Sequence, residues 1–120
     1  MSDTQGKFYK KLYGKIGEKK AEKYLVKKGY VLLERNYKTK FAEADLIFDD
    51  AGTIVFVEVK ARSSDDFGEP SQAVDYKKQR KYVKLAEYYL VAKGIDKNVR
   101  FDVVEVKKGE INHIKDAFYA

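Results

Sequence analysis

Asp45 on one predicted strand, and Glu58-Val59-Lys60 at the end of the next, bring two carboxylates and an ammonium together. The surrounding segment is otherwise apolar on both sides, and charges in such a place are costly unless compensated. A metal ion is the usual compensation. Hard carboxylate oxygens hold one or two Mg2+ ions, which position and deprotonate water and neutralise charge on an attacked phosphorus. A nearby cation stabilises the same transition state. The chemistry indicated is metal-assisted cleavage of phosphodiester bonds. In it Lys60 suits electrostatic stabilisation and orientation of water better than general-base work, because a lysine among carboxylates keeps its proton. A cross-strand ion pair between Asp45 or Glu58 and Lys60 is the bland alternative, and the E-x-K tripeptide alone does not decide between them.

The elements around these residues strengthen the first reading. Alternation puts Ile54, Phe56, Glu58 and Lys60 on one side of their strand and Val55, Val57 and Val59 on the other. Both sides begin apolar, as in a central strand buried on both faces. On the preceding strand Glu43, Asp45 and Ile47 share a side opposite Ala44, Leu46 and Phe48. A hairpin aligning those sides converges Glu43, Asp45, Glu58 and Lys60 on one patch. At helical spacing Glu18 falls on the inward stripe of Ala21 and Leu25, where a hydrogen-bonded structural glutamate would also fit. Gln79 lies likewise on the stripe of Tyr76, Val83, Ala86 and Leu90.

The pattern predicts a helix over 15–28 closed by Gly29, then strands over 30–37, 42–48 and 53–60. A loop over 61–72, a helix over 72–93 ended by Gly94, and strands over 99–106 and 111–114 complete the order. This is an α/β chain with a mixed five-stranded sheet covered by helices on both faces. The 120 residues suit one domain, with residues 1–13 as a mobile basic arm.

Composition narrows the chemistry. No stretch approaches the roughly 20 apolar residues of a membrane span, and the N-terminus lacks the apolar core of a signal peptide. Without cysteine there is no disulfide framework or thiolate site, which fits the cytoplasm. His113 is the sole histidine, so a metal site must be oxygen-rich, favouring Mg2+ or Mn2+ over Zn2+. His113 itself reads as structural, and Asp102 has no role in the pattern. The net charge of +6 is uneven: residues 1–40 hold twelve Lys/Arg against four Asp/Glu, beside five tyrosines. Such a segment suits a polyanion, with lysines on phosphates and rings free to stack, or else is a solvated helix. Candidate nucleic-acid contacts are Lys11, Lys15, Lys19, Arg35, Lys38, Arg62, Lys77, Lys78, Gln79 and Arg80. Gln72 and Tyr76 have the spacing of a nuclease Q-x-x-x-Y motif, which helix packing explains equally well.

A longer series of residues carries a resemblance. Gly17-Glu18 with Ala21 and Tyr24-Leu25, Gly29-Tyr30, Arg35-Asn36-Tyr37, Glu43-x-Asp45-Leu46-Ile47 and Val55-Phe56-Val57-Glu58-Val59-Lys60-x-Arg62 follow in order. Phe67-Gly68-x-Pro70, Ala73-Val74, Lys78-Gln79, Ala86, Tyr89-Leu90, Arg100-Phe101-Asp102-Val103-Val104, Ile114 and Asp116-Ala117-Phe118 continue it. The chain resembles the YraN-like family of uncharacterised bacterial proteins, itself similar to PD-(D/E)XK nucleases and archaeal Holliday-junction resolvases. The resemblance implies a restriction-endonuclease-like fold with a divalent-metal site. By position it makes Asp45 and Glu58 metal ligands, Lys60 the catalytic lysine, Glu18 an accessory carboxylate and Glu43 a further acidic position. Ala42 and Ala44 stand where the family commonly has glycine and a branched residue. The expectation is a small Mg2+- or Mn2+-dependent nuclease acting on DNA, branched or single-stranded, and dimeric if it cuts two strands. Its rivals are a non-catalytic nucleic-acid-binding module and a protein-interaction factor that retain the fold.

Overall fold

Helix, three strands, helix and two strands follow one another in the expected order. The computed structural model describes residues 3–62, 74–108 and 110–119, with side chains from residue 11 onward. The elements are α1 (Asp3–Lys27), β1 (Val31–Lys38), β2 (Glu43–Asp50), β3 (Thr53–Arg62), α2 (Tyr76–Lys93), β4 (Val99–Lys107) and β5 (Glu110–Phe118). Phe67-Gly68-x-Pro70, Gln72 and Ala73 lie outside the described residues.

The first helix corrects an expectation. It begins at Asp3, so residues 3–13 continue α1 rather than forming an arm. No proline interrupts them, and the Tyr13 hydroxyl donates to the Arg62 carbonyl at 2.7 Å, tying this part of the helix to the end of β3. That long-range contact is invisible to local pattern. At the other end Gly29, with φ of 99°, turns the chain, and the Tyr30 N–H bonds the Leu25 carbonyl at 3.1 Å.

The strands form one sheet in the order β1-β2-β3-β4-β5. Among the described strands only β3 and β4 run parallel; the other pairs are antiparallel. Helices cover both faces, as expected. Ala21 and Leu25 of α1 pack with Leu46, Phe48, Val55, Val57, Val104 and Val106. Tyr82, Leu85, Ala86 and Tyr89 of α2 pack with Ile47, Ile54, Phe56, Phe101, Val103 and Phe118. The central strand thus sends alternate side chains into two separate cores. The buried face of α2 is rotated from the expected stripe: Tyr76 is 70% exposed, while Tyr82, Leu85 and Tyr89 are buried. Tyr76 directly follows the N-cap Asp75, before the helix crosses the sheet. Among the described residues no helix is long and apolar enough to cross a membrane.

Asp102 acquires a role from tertiary structure. It is fully buried and accepts from Arg100 Nε at 2.9 Å, from the Asp116 N–H at 3.0 Å, and pairs with His113 Nε2 at 2.7 Å. Arg100 also donates to Asp50 at 2.9 Å and to the Tyr30 hydroxyl at 2.8 Å. Burial opposes the charge on Asp102, but the hydrogen bonds from His113 and Arg100 outweigh it and hold its pKa below the usual carboxylate range. His113 is therefore structural, joining the last hairpin to the core.

Two glycines of α1 differ in what a side chain would meet. A Cβ at Gly17 would come 2.9 Å from the Ala61 Cβ, whereas nothing lies within 4 Å of one at Gly14. Gly17→Ala should lose stability by about 1 kcal/mol or more, its clash outweighing the helix-propensity gain. Gly14→Ala should gain roughly 0.5–1 kcal/mol. Urea unfolding of both variants checks the pair, and a Gly17→Ala variant as stable as Gly14→Ala would contradict the close approach of α1 to β3.

Candidate active site

The ladder between β2 and β3 runs from Asp50↔Thr53 to Leu46↔Val57 and pairs no further. Beyond it the Val59 N–H donates to Asp45 Oδ2 at 2.7 Å. A side-chain carboxylate thus takes a strand donor that a carbonyl would ordinarily receive. Alternation breaks at the same point, since Leu46 packs on the α1 side and Ala44 on the α2 side. The expected sharing of one face by those two residues is therefore corrected: Asp45 sits at the splay between strands.

That splay opens a cleft of about 490 Å3, lined among others by Glu18, Glu43, Asp45, Glu58, Lys77, Lys78, Lys81 and Tyr82. Each wall has a local cause. The turn between β1 and β2 is held by the Thr39 hydroxyl, which accepts from the Phe41 and Ala42 N–H groups at 3.1 and 3.3 Å and so sets both residues on the rim. On the opposite wall Asp75 caps α2, accepting from the Lys78 N–H at 2.8 Å, and Gln79 Nε2 donates to the Val74 carbonyl at 2.9 Å. The helix so started presents Lys78 and Tyr82, one turn apart, to Glu58. Lys78 Nζ lies 2.5 Å from Glu58 Oε2, and the Tyr82 hydroxyl donates to Oε1 at 2.6 Å. From the other face α1 brings Glu18, steadied by Asn36 Nδ2 at 3.1 Å.

Electrostatics follow from this crowding. Burial, then repulsion from Glu58 and more weakly from Glu18, push the Asp45 pKa up to about 8, against the pull of the Val59 N–H and of Lys78. Burial and the two carboxylates likewise hold the Tyr82 hydroxyl well above its ordinary range, so it remains a neutral donor. Among the described residues no three Asp, Glu or His side chains enclose a point as a finished ion cage. Asp45 and Glu58 do supply two hard oxygen ligands in an open cleft. That suits Mg2+, which keeps several waters and uses one or two carboxylates.

The structure thus gathers Asp45, Glu58, Glu18 and Glu43 of the sequence-predicted site, with Glu43 exposed at the rim. Lys60 is half-buried and does not line the cleft; the ammonium on Glu58 is that of Lys78, expected instead on phosphate. Gln79 is engaged at the start of its helix, and Arg62 Nε lies 2.5 Å from Glu105. Arg35 forms a two-pronged pair with Glu22 at 2.7 and 2.9 Å, and Arg80 leans on Tyr76. Lys15, Lys19 and Arg35 border a second depression, with Leu12 and Ile16, that shares Glu18 with the cleft. Lys11 and Lys38 are exposed. Sequence reasoning missed Tyr82; the only available signal was its spacing of four from Lys78 on one helix face.

Residues 17–106 match the family model described as "Uncharacterised protein family UPF0102". A UPF0102 protein of Persephonella marina is 47% identical over 106 residues, covering 88% of this chain and 91% of that one. One from Alkaliphilus oremlandii is 50% identical over 115 residues, covering 90% and 98%. One from Caldanaerobacter subterraneus subsp. tengcongensis is 47% identical over 120 residues, covering 93% and 98%.

Asp45 makes the stability of the protein pH-dependent in a defined direction. Its pKa is higher folded, at about 8, than the ordinary 3.8, so the folded state holds a proton that the unfolded state releases. Its contribution is present below about pH 4 and is lost as the pH rises to about 8. Asp45→Asn, which still accepts from Val59, should therefore exceed the wild type in stability by at least about 1 kcal/mol at pH 8 and by much less at pH 5. Urea unfolding at both pH values measures this; the same pH dependence in both proteins would contradict it.

Proposed function

We propose, for a chain that belongs to the uncharacterised protein family UPF0102, that the Asp45–Glu58 cleft is the active site of a metal-dependent nuclease acting on DNA. The observation that carries the reading is the meeting of Asp45 and Glu58 at the splayed ends of β2 and β3, with the Asp45 pKa raised by burial and then by its neighbour. Asp45 and Glu58 would hold the Mg2+ or Mn2+. Bound there, a divalent ion supplies an activated water and offsets charge on the phosphate.

The remaining roles fall to this chain's own groups. The Val59 N–H fixes Asp45 by one oxygen. Tyr82 fixes Glu58 from the α2 side. Glu18 faces the cleft from α1, placed to orient water, and Glu43 adds negative charge at the rim. Lys60, two residues beyond Glu58 on β3 but outside the lining of the cleft, would have to swing its ammonium toward Glu58 to take the electrostatic role. Lys77 and Lys81 on the wall of the cleft, and Lys15 and Lys19 along the adjoining depression, are suited to the phosphodiester backbone. None of these contacts reads base edges, so recognition rests on shape and charge, as for branched or single-stranded DNA. Cutting two strands would call for a second copy of the chain, and the cytoplasm is the compartment proposed for this activity.

One observation favours a second reading, a non-catalytic nucleic-acid-binding module: both oxygens of Glu58 already have partners, Lys78 and Tyr82. Incubation of purified protein with linear, single-stranded and four-way-junction DNA, with Mg2+ or Mn2+ or with chelator, separates the two. The nuclease reading expects metal-dependent cleavage that falls at least about a hundredfold in Glu58→Ala, from several kcal/mol of lost charge stabilisation. Cleavage persisting in that variant would remove the site. Salt-sensitive binding without cleavage, unaffected by Asp45→Ala, would establish the binding module instead.

A further inference from the structure

We propose that Lys78 is the exchangeable counter-ion of Glu58: it holds the cation position of the cleft until a divalent ion takes it, and its ammonium then turns to the phosphate of the substrate. The proposal rests on the reading of the cleft as a cation site and adds a residue that the E-x-K pattern does not contain.

Three observations carry it. First, the two α2 residues on Glu58 differ in kind. Tyr82 is a neutral donor, 1% exposed and locked among Phe101 and Phe118. Lys78 is an ammonium on a flexible stem, and its side chain is 42% exposed while that of Glu58 is 6% exposed. One contact is built to stay and the other can leave without moving the backbone.

Second, Lys78 Nζ and Glu58 Oε2 are in direct ion-pair contact, closer than a usual hydrogen bond. A divalent ion ligated by that oxygen would stand within a few ångströms of the ammonium, and like charges so close in a half-buried site repel strongly. The two cations therefore exclude one another on Glu58. Third, among the described residues Lys78 is the cleft cation with a direct carboxylate partner there; Lys77 and Lys81 line the same wall but are exposed. Lys78 offsets the repulsion between Asp45 and Glu58 in the metal-free protein. Once displaced, it remains within one side-chain length of the cleft beside those two lysines.

Mn2+ binding by the full chain, measured by titration calorimetry and by electron paramagnetic resonance without DNA, tests the exchange. Lys78→Met keeps the stem and removes the competitor, so Mn2+ should bind about tenfold more tightly than to the wild type. Lys81→Met removes the same charge from the same wall without touching Glu58 and should change affinity less than about twofold. Lys78→Gln, a milder change, should tighten binding in the same direction and serves if the methionine variant does not fold. Affinity unchanged or weakened in the Lys78 variants, or tightened equally by Lys81→Met, would overturn the exchange while leaving the cation site standing. Absence of Mn2+ binding in the wild type and all variants would overturn both.

Discussion

The hydrogen bond from the Val59 N–H to Asp45 Oδ2 determines where everything else in the cleft must be. It terminates the β2–β3 ladder with a side chain, so the two strands part beyond Leu46↔Val57. The parallel pairing of β3 with β4 continues to Arg62↔Lys107 and that of β2 with β1 to Lys38↔Glu43, so each strand stays in the sheet while the two part from one another. An opening therefore forms at one end of a sheet that is otherwise closed by helices on both faces. Helix α1 reaches it with Glu18 and α2 with Lys78 and Tyr82.

Placing carboxylates there is tolerable because the rest of the fold is apolar and well partnered. Two cores flank β3, and the charges inside them, Asp102 and Arg100, are hydrogen-bonded on several sides. The cleft is handled differently. Glu58 is satisfied by one permanent and one mobile partner, and Asp45 relieves the remaining repulsion by keeping its proton. The two polar clusters use the same residue types for opposite ends: one is saturated and locks the last hairpin, the other stays open to exchange.

Much of this was legible in the sequence because it depends on alternation and composition. The two-sided apolar run of β3, with Glu58 breaking it at the end, marks a central strand and the place where chemistry enters. The spacing of Glu18 from Ala21 and Leu25 marks the inward face of α1 correctly. What escaped depends on angles and distant partners. The end of the β2–β3 ladder beside Asp45 sets Ala44 and Leu46 in different cores, against strict alternation. The buried stripe of α2 lies about one position from the expected one, because Tyr82, Leu85 and Tyr89 form an apolar row beside it. With it went the contacts of Lys78 and Tyr82, which depend on how α2 crosses the sheet. Asp102 could not be explained without the register that sets His113 beside it, including the irregularity in β4–β5 pairing between Phe101 and Val103.

The central claim is that Asp45 and Glu58 together form a divalent-cation site. Crystals of the protein soaked in Mn2+ and measured at a wavelength where manganese scatters anomalously test it directly. The account predicts an anomalous peak between the Asp45 and Glu58 carboxylates, within about 2.0–2.6 Å of an oxygen of each, with Lys78 Nζ withdrawn from Glu58. No peak at saturating Mn2+, or a peak elsewhere with the Lys78–Glu58 pair intact, would contradict it.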